Sequence, residues 1–230
     1  MQSTQIESTT ETERAYAALR HAILHGEFVP SAKLKMEDLK TRYNMGGSPL
    51  REALARLVSE RLVTFSGGRG FRVASISIND LEDIADVRKV LEIAALREAI
   101  ERGDDEWEGR IVAAFHRLSL AEGKLNDNPE SMTEVEERNR EFHRALLSAA
   151  KSPRLLELAE AMYDLHERYR RISRLKRSSE RNLHEEHSAI MNAALARDFD
   201  RASELTAAHI DATTRTVAAH LQYQAARAAN

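Results

Sequence analysis

The sequence predicts a mainly α-helical protein, with an N-terminal winged helix-turn-helix followed by a C-terminal all-helical bundle. Two patterns indicate this fold class. Residues 36–73 contain a short helix, a glycine turn, an amphipathic helix and a glycine-tipped hairpin. From residue 78 onward, apolar residues recur at helical spacing without a strand signal. We expect the first domain to span residues 11–75 and the second to span residues 78–224.

The two helices of the helix-turn-helix are predicted over Met36–Arg42 and Ser48–Arg61, with a turn at Gly46-Gly47 between them. We expect Ser48 to cap the second helix and Pro49 to occupy its first position, where the missing N–H is harmless. Leucines at 50, 54 and 57 mark a buried face, so the arginines at 51, 56 and 61 lie on the outer side. Such a helix can enter the DNA major groove.

A glycine-tipped hairpin follows the second helix. Strands are predicted over Leu62–Phe65 and Phe71–Val73, and Ala32–Lys35 is expected to add a short strand beside them. The arginine at the tip lies between glycines and can enter the minor groove. The DNA-contacting residues expected from these patterns are Lys35, Ser48, Pro49, Arg51, Arg56, Gly68, Arg69 and Gly70.

Charge is divided unevenly along the chain, whose net charge is −3. Residues 1–75 hold 11 Lys and Arg against 8 Asp and Glu, a net of +3, whereas residues 76–230 hold 23 against 29, a net of −6. The basic surplus therefore lies where phosphate contacts need it. Because that surplus is modest, we expect a homodimer on double-stranded operator DNA, since two copies double the contacts and match a two-fold symmetric site.

Helical spacing also predicts the remaining elements. The first helix is expected over Thr12–Gly26, and an extended linker over Ala74–Ser77. Asn79 or Asp80 is expected to cap the first helix of the second domain. The helices of that domain are predicted at residues 80–102, Asp104–Gly123, Ser131–Lys151, Arg154–Leu175, Leu183–Arg197 and Arg201–Tyr223, with a polar stretch at Lys176–Asn182 and a frayed tail at Gln224–Asn230.

Composition excludes several kinds of site. The chain contains no cysteine, so it has no disulfide, no thiolate metal site and no thiol nucleophile. The first ten residues are polar and lack the apolar core of a signal peptide, and no apolar run approaches membrane-spanning length. We therefore expect a cytoplasmic protein without a membrane partner.

Three of the nine histidines stand out because they lie on different predicted helices, each beside an apolar stripe. These are His143, His187 and His209, and Asn139 precedes His143 by one helical turn. Three imidazoles and one amide oxygen suit Zn²⁺ or Ni²⁺, with open positions for a ligand. The alternative is that they are ordinary core or surface histidines. No special role is expected for His21, His25, His116, His166, His184 and His220.

Arg88 is flanked by apolar residues within the first predicted helix of the second domain. An arginine facing a bundle cavity can bind a carboxylate bidentately, and the alternative is an interhelical or interdomain salt bridge.

Two stretches carry a family resemblance. SPLREALARLVSERLV followed by GGRGFRV resembles the GntR superfamily of bacterial repressors, and VRKVLE, NREFHRAL, EEHSAI and AAHI resemble the effector (FCD) domain of its fatty-acid-regulator branch. The resemblance covers residues 12–222. It implies a winged-helix domain, a helical domain that binds a small carboxylate, dimerisation through that helical domain, and DNA release controlled by the effector.

The resemblance also assigns residues. It places the metal ligands at Asn139, His143, His187 and His209. The effector carboxylate would bind Arg88 and the same four residues, and Arg51 would contact DNA. The chain departs from the family pattern at Asn139, where Asp is commoner, and at Gly47, where many members have Arg. The first departure implies weaker metal binding and the second an altered operator preference.

A narrower resemblance lies in MGGSPLREAL, ERLVT and GDDEWE, which are similar to carbon-starvation-induced repressors of glutarate and 4-aminobutyrate catabolism. It implies a C5 dicarboxylate effector, glutarate or 2-hydroxyglutarate. A metal-dependent enzyme or sensor and a ligand-free architectural DNA-binding protein remain as alternatives. Against the enzyme, the histidines of His184-Glu185-Glu186-His187 are one residue too close for a zincin HExxH motif.

Overall fold

The computed structural model describes residues 10–126, 128–173 and 181–228. The chain divides into two compact units. One contains the described residues as far as Ser77 and the last turns of α7 from Glu167, and the other contains the remainder. The elements are α1 (Glu11–Leu24), α2 (Met36–Tyr43), α3 (Gly47–Ser59), β1 (Val63–Ser66), β2 (Gly70–Val73), α4 (Ile78–Arg102), α5 (Asp105–Gly123), α6 (Pro129–Leu147), α7 (Pro153–Ser173), α8 (Leu183–Leu195) and α9 (Phe199–Ala228).

The first helix begins one residue earlier than predicted because Thr10 and Glu13 form a capping box. The Thr10 hydroxyl accepts from the backbone N–H of Glu13, and the Glu13 carboxylate accepts from the backbone N–H of Thr10. Two backbone donors that a helix start leaves without partners are thereby satisfied.

The turn between α2 and α3 differs from the predicted glycine turn. Asn44 makes it in the left-handed conformation (φ 49°, ψ 50°), which asparagine tolerates. Gly46 is extended and precedes α3, which begins at Gly47. The predictions for Ser48 as cap and Pro49 as first residue were therefore wrong, because the cap is Gly46 and the first helical residue is Gly47, each two positions earlier. Pro49 still lies in the first turn, where its missing N–H leaves no helical bond unmade.

The hairpin pairs β1 with β2 in antiparallel register, from Val63 opposite Val73 to Ser66 opposite Gly70. Gly68 and Gly70 have positive φ values of 79° and 75°, which explains the glycines at the tip. The predicted strand at Ala32–Lys35 is present only as an isolated bridge between Lys33 and Arg72.

The core of the first unit lies between α1 and α3. Leu19 and Ile23 of α1 are fully buried. Leu50, Leu54 and Leu57 of α3 are fully buried as well, as their apolar spacing predicted. The end of α7 contributes to this unit, where the Tyr169 hydroxyl accepts from the backbone N–H of Ser77 at 3.1 Å.

The core of the second unit is centred on α5, α6 and α8. Trp107 is fully buried and donates to the carbonyl oxygen of Leu146 at 3.2 Å. Asp104 caps α5 by accepting from the backbone N–H of Trp107. Gly103 is required by this packing, because a Cβ atom there would lie 2.2 Å from the Trp107 ring.

Several helix limits differ from the predictions. Asn79 and Asp80 lie inside α4 rather than capping it, since the helix starts at Ile78. The tail was expected to fray from Gln224, but α9 continues to Ala228. The predicted end of the fourth bundle helix at Leu175, most of the polar stretch at 176–182, and residues 229–230 lie outside the described residues. Within the described ranges, no helix has the length and apolar character needed to cross a bilayer.

Candidate metal and carboxylate site and candidate DNA interface

Three helices of the second unit bring His143, His187 and His209 together, from α6, α8 and α9 respectively. One ring nitrogen from each lies within 4.8 Å of the other two, and all three residues are buried. Two nitrogens bound to one tetrahedral Zn²⁺ are about 3.3 Å apart, given bond lengths near 2.0–2.1 Å. Small side-chain movements are therefore enough to bring the three nitrogens onto one ion.

Asn139 lies one turn before His143 on α6 and is 8% exposed. Its amide nitrogen donates to the Tyr163 hydroxyl at 2.8 Å. An amide that donates from its nitrogen keeps its carbonyl oxygen for another partner. Three imidazoles and one neutral amide oxygen would suit a divalent ion of the zinc or nickel type.

His209 is held by acidic and basic neighbours. Its Nδ1 atom lies 2.8 Å from Oε2 of Glu186, and Arg181 forms hydrogen bonds of 2.6 and 2.5 Å with the two Glu186 oxygens. Burial raises the pKa of Glu186, but the bonds to His209 and Arg181 outweigh it and lower that pKa to about 2. Burial lowers the pKa of His209 to about 4, with Arg181 and Arg88 adding to the decrease and Glu186 opposing it. At neutral pH the pair is therefore a carboxylate and an uncharged imidazole.

Arg88 is 1% exposed, and its three guanidinium nitrogens differ in their partners. Nε donates to Glu92 at 2.6 Å, and Nη1 lies 3.1 Å from Nδ1 of His166. Among the described residues, Nη2 has no hydrogen-bond partner. Two of the three guanidinium nitrogens are thus engaged within the protein, and the third is a buried donor that could serve a ligand.

Tyr163 lies beside both Arg88 and the histidine cluster, and the sequence did not predict a role for it. The Arg88 guanidinium lies 4.6 Å from its ring centroid, and the His143 ring lies 5.6 Å from it. His166, for which no role was expected, is fully buried and contacts both Arg88 and the Thr214 hydroxyl. The available signal was helical spacing, because residues 163 and 166 follow the buried Ala159 at intervals of four and three.

Glu122 of α5 lies beside the histidine of α8. Its carboxylate oxygens are 3.9 Å from Nδ1 of His187 and 3.4 Å from Nδ1 of His184, and its side chain is 11% exposed. Two of the three clustered histidines therefore have a carboxylate neighbour. Glu122 lies beside His187, and Glu186 lies beside His209.

The residues predicted to contact DNA all lie in the first unit. Arg51 of α3 is exposed, and Arg69 is exposed at the hairpin tip between Gly68 and Gly70. Arg56 is exposed too, but its guanidinium stacks 3.9 Å from the centroid of the Tyr16 ring. Lys35 and Ser48 are exposed at the starts of α2 and α3, and Pro49 is half-buried. Lys35, Arg51 and Arg69 thus present exposed charges, whereas the guanidinium of Arg56 is stacked on Tyr16.

Comparison with protein families covers most of both units. A model described as FCD domain matches residues 83–212, and a model described as bacterial regulatory proteins, gntR family, matches residues 11–73. The first contains the histidine cluster and Arg88, and the second contains the helix-turn-helix and the hairpin.

Two relatives share 40% sequence identity with the chain. The HTH-type transcriptional regulator BphR of Paraburkholderia xenovorans (strain LB400) matches over 89% of this chain and 84% of its own length. The HTH-type transcriptional repressor GlaR of Escherichia coli (strain K12) matches over 85% of this chain and 90% of its own.

Solved structures confirm the fold. E. coli McbR/YncC superposes with a TM-score of 0.77 at 24% identity, over 94% of this chain and 100% of its own. A regulator from Rhodococcus sp. RHA1 superposes with a TM-score of 0.73 at 23% identity, over 90% of this chain and 96% of its own. The predicted fold class is therefore confirmed, and the family matches and relatives show that this chain belongs to the GntR family of DNA-binding transcription regulators that carry an FCD domain.

Proposed function

We propose that this protein is a homodimeric repressor whose FCD domain binds a divalent metal ion and a small dicarboxylate, and which leaves its operator when the dicarboxylate binds. The observation that carries the proposal is the buried Nη2 of Arg88, which has no hydrogen-bond partner in the described part of the chain and lies near a cluster of three histidines. A buried donor without a partner costs about 1–3 kcal/mol, so a ligand that accepts from it gains that amount in affinity.

A carboxylate is the ligand that this donor favours. Arg88 carries a positive charge that Glu92 compensates through Nε, and a charge-assisted bond from Nη2 is stronger than a neutral one. Because Nε and Nη1 are already engaged, we expect a single-point contact rather than a bidentate one. The second carboxylate of a diacid then has to be anchored elsewhere.

The histidine cluster is the second anchor. Asn139, His143, His187 and His209 would hold the metal ion, with His209 uncharged at neutral pH. A bound divalent ion would supply positive charge and open coordination positions there. Arg88 lies close enough to His209 to lower its pKa, which supports one binding site that includes both anchors.

Two anchors of positive charge select a diacid over a fatty acid or a sugar. An apolar tail would leave one anchor unpaired in a buried site, which costs binding energy. The choice of glutarate or 2-hydroxyglutarate depends on the resemblance of MGGSPLREAL, ERLVT and GDDEWE to repressors of glutarate catabolism.

On the DNA side, we propose that α3 enters the major groove and that the hairpin tip contacts the adjacent minor groove. Arg51 of α3 and Arg69 of the hairpin tip are exposed cations at these two positions. A dimer would place two such units on two half-sites, and effector binding would change their spacing or freedom by favouring one arrangement of the helical bundle.

Calorimetry of the full chain against succinate, glutarate, 2-hydroxyglutarate and lactate tests the effector class. The double variant Arg88→Met/Glu92→Gln removes both charges of the buried pair, whereas Arg102→Met removes an exposed charge at the end of the same helix. We expect diacid binding in the wild type and the Arg102 variant, and at least a tenfold loss in the double variant. Binding of lactate without any diacid would overturn the effector class, and undiminished binding in the double variant would remove Arg88 from the site.

A further inference from the structure

Glu186 and Arg181 form a hydrogen-bonded clamp around His209. The carboxylate of Glu186 contacts Nδ1 of His209 at 2.8 Å. Arg181 donates to both oxygens of that carboxylate, at 2.6 Å from Nε and 2.5 Å from Nη2. The same guanidinium donates to the backbone carbonyl of His209 at 3.1 Å and to the Thr213 hydroxyl at 2.9 Å. One arginine therefore holds both the carboxylate and the helix that carries the histidine.

The contact with Glu186 determines which nitrogen of His209 carries the proton. A carboxylate only accepts hydrogen bonds, so the 2.8 Å contact with Glu186 requires the proton on Nδ1 of the uncharged ring. Nη2 of Arg181 also lies 3.4 Å from this Nδ1, but its shorter bond of 2.5 Å goes to the Glu186 oxygen. The lone pair is then on Nε2. A histidine ligand needs such a lone pair, and a hydrogen bond from its other nitrogen fixes the ring orientation and raises its basicity.

We propose that Glu186 is a positioning residue for His209, which it holds as the Nδ1–H tautomer with Nε2 available to a metal ion, and that Arg181 holds Glu186 in place. This inference rests on the metal site proposed above. It concerns residues outside the donor set, since neither Glu186 nor Arg181 is needed as a ligand. Arg181 directly precedes the Asn182 cap of α8, so the clamp also ties the start of α8 to α9.

Competition for Zn²⁺ with a chromogenic chelator, on the full-length protein, measures the effect on affinity. Glu186→Ala is expected to bind Zn²⁺ about 10–100-fold more weakly than the wild type. Glu186→Gln, which keeps the shape and one acceptor oxygen, should recover part of that loss. Glu185→Ala is the matched control, because Glu185 is an exposed acidic residue in the same helical turn, and its affinity should equal that of the wild type.

A second measurement tests the tautomer without metal. Histidine-selective ¹⁵N labelling and long-range ¹H–¹⁵N spectra of the metal-free protein distinguish protonated from unprotonated ring nitrogens. We expect His209 to carry its proton on Nδ1 in the wild type and the Glu185→Ala protein, and to populate both tautomers in Glu186→Ala. A purely structural role for Glu186 would leave the tautomer unchanged.

The role of Arg181 is tested in the same way. Arg181→Ala should weaken Zn²⁺ binding severalfold, whereas Arg201→Ala, which removes an exposed arginine on α9, should not. The inference would be overturned if Glu186→Ala bound Zn²⁺ as tightly as the wild type, or if His209 carried its proton on Nε2 in the wild type. Neither result would contradict the metal site. A wild-type protein that refuses Zn²⁺ would instead overturn the metal site itself, and the inference with it.

Discussion

Each nitrogen of the Arg88 guanidinium has a different environment within the helical unit. The pairing of Nε with Glu92 is an i,i+4 contact between two side chains that are at most 3% exposed. A buried pair of this kind contributes little net stability, because both charges lose their hydration. Removing one partner is different, since the other charge then stays buried without compensation.

We therefore expect Arg88→Met to lower the free energy of unfolding by about 3–5 kcal/mol. The double variant Arg88→Met/Glu92→Gln should lose much less, because no buried charge is left unpaired. Urea unfolding monitored by circular dichroism measures both. Equal losses in the two variants would mean that Glu92 has another compensating partner.

The residue at position 139 sets the charge of the proposed donor set. Asn139→Asp adds a carboxylate where the chain has a neutral amide, and Tyr163 can donate its hydroxyl proton to that carboxylate. We expect Zn²⁺ to bind about tenfold more tightly or better, since affinity rises with ligand charge. Asn192→Asp on the exposed side of α8 is the control. Unchanged affinity in Asn139→Asp would exclude residue 139 as a ligand.

At the scale of elements, α6 and α7 are joined by two arginines of one helix and a carboxylate of the other. Arg144 donates to Glu160 at 2.8 and 2.5 Å, and Arg140 donates to the same carboxylate at 2.5 Å. Burial raises the pKa of Glu160, but the two arginines outweigh it and lower that pKa below its usual value of 4.5.

This lowered pKa predicts a pH-dependent contribution to stability. Because the folded-state pKa lies below the unfolded one, the contribution is fully present above about pH 4.5 and is lost as the pH falls through the folded-state pKa. Glu160→Gln should therefore lower the free energy of unfolding at pH 7 by roughly 1 kcal/mol. This difference in stability between the variant and the wild type should become smaller in acid. Urea titrations at pH 7 and below pH 4.5 measure it, with the exposed Glu157→Gln as control. A stability difference that does not change with pH would contradict the assignment to the lowered pKa of Glu160.

The exposed side of α3 is the other element with a testable function. Arg51→Ala should weaken DNA binding by about 1–3 kcal/mol without unfolding the protein. The buried face of α3 is formed by leucines that this change does not touch. Gel-shift titration on a duplex selected from a random pool measures the affinity, with Arg14→Ala on the exposed face of α1 as control. Unchanged affinity would show that α3 does not read DNA through Arg51.

At the scale of the whole molecule, a ligand-responsive regulator requires that effector and operator bind with different affinity to two states of the dimer. Thermodynamic linkage makes the effect reciprocal, so the factor by which effector weakens DNA binding equals the factor by which DNA weakens effector binding. A ligand with equal affinity for both states would change nothing.

We expect the bound diacid to weaken operator binding by about 5–150-fold, the range typical of such coupling. Calorimetric titration of the diacid into free protein and into the protein–operator complex should show the same factor in the effector affinity. Sedimentation should give about twice the 26.0 kDa of one chain with and without the effector. Equal diacid affinity in both titrations would contradict release by the effector.

The sequence by itself determined the fold class, because helical spacing and turn glycines are local signals. The leucine face of α3 and the hairpin tip follow from residues within a few positions of one another. Helix limits were less predictable where two neighbouring residues compete for one role. At the start of α3, the extended Gly46 takes the cap position in place of Ser48, two positions earlier than predicted, and helix limits vary by one or two residues because helix ends fray.

Only the tertiary structure decided the environments of the site residues, because those depend on contacts between helices far apart in sequence. His166 and Arg88 are 78 positions apart, and Arg181 and His209 are 28 apart. Spacing along one helix places Asn139 beside His143. It carries no information about Tyr163, about Glu186, or about which nitrogen of Arg88 lacks a hydrogen-bond partner within the described ranges. Packing of α4, α6, α7, α8 and α9 brings these groups together. Burial then keeps His209 uncharged, whereas the hydrogen bonds from His209 and Arg181 keep Glu186 a carboxylate.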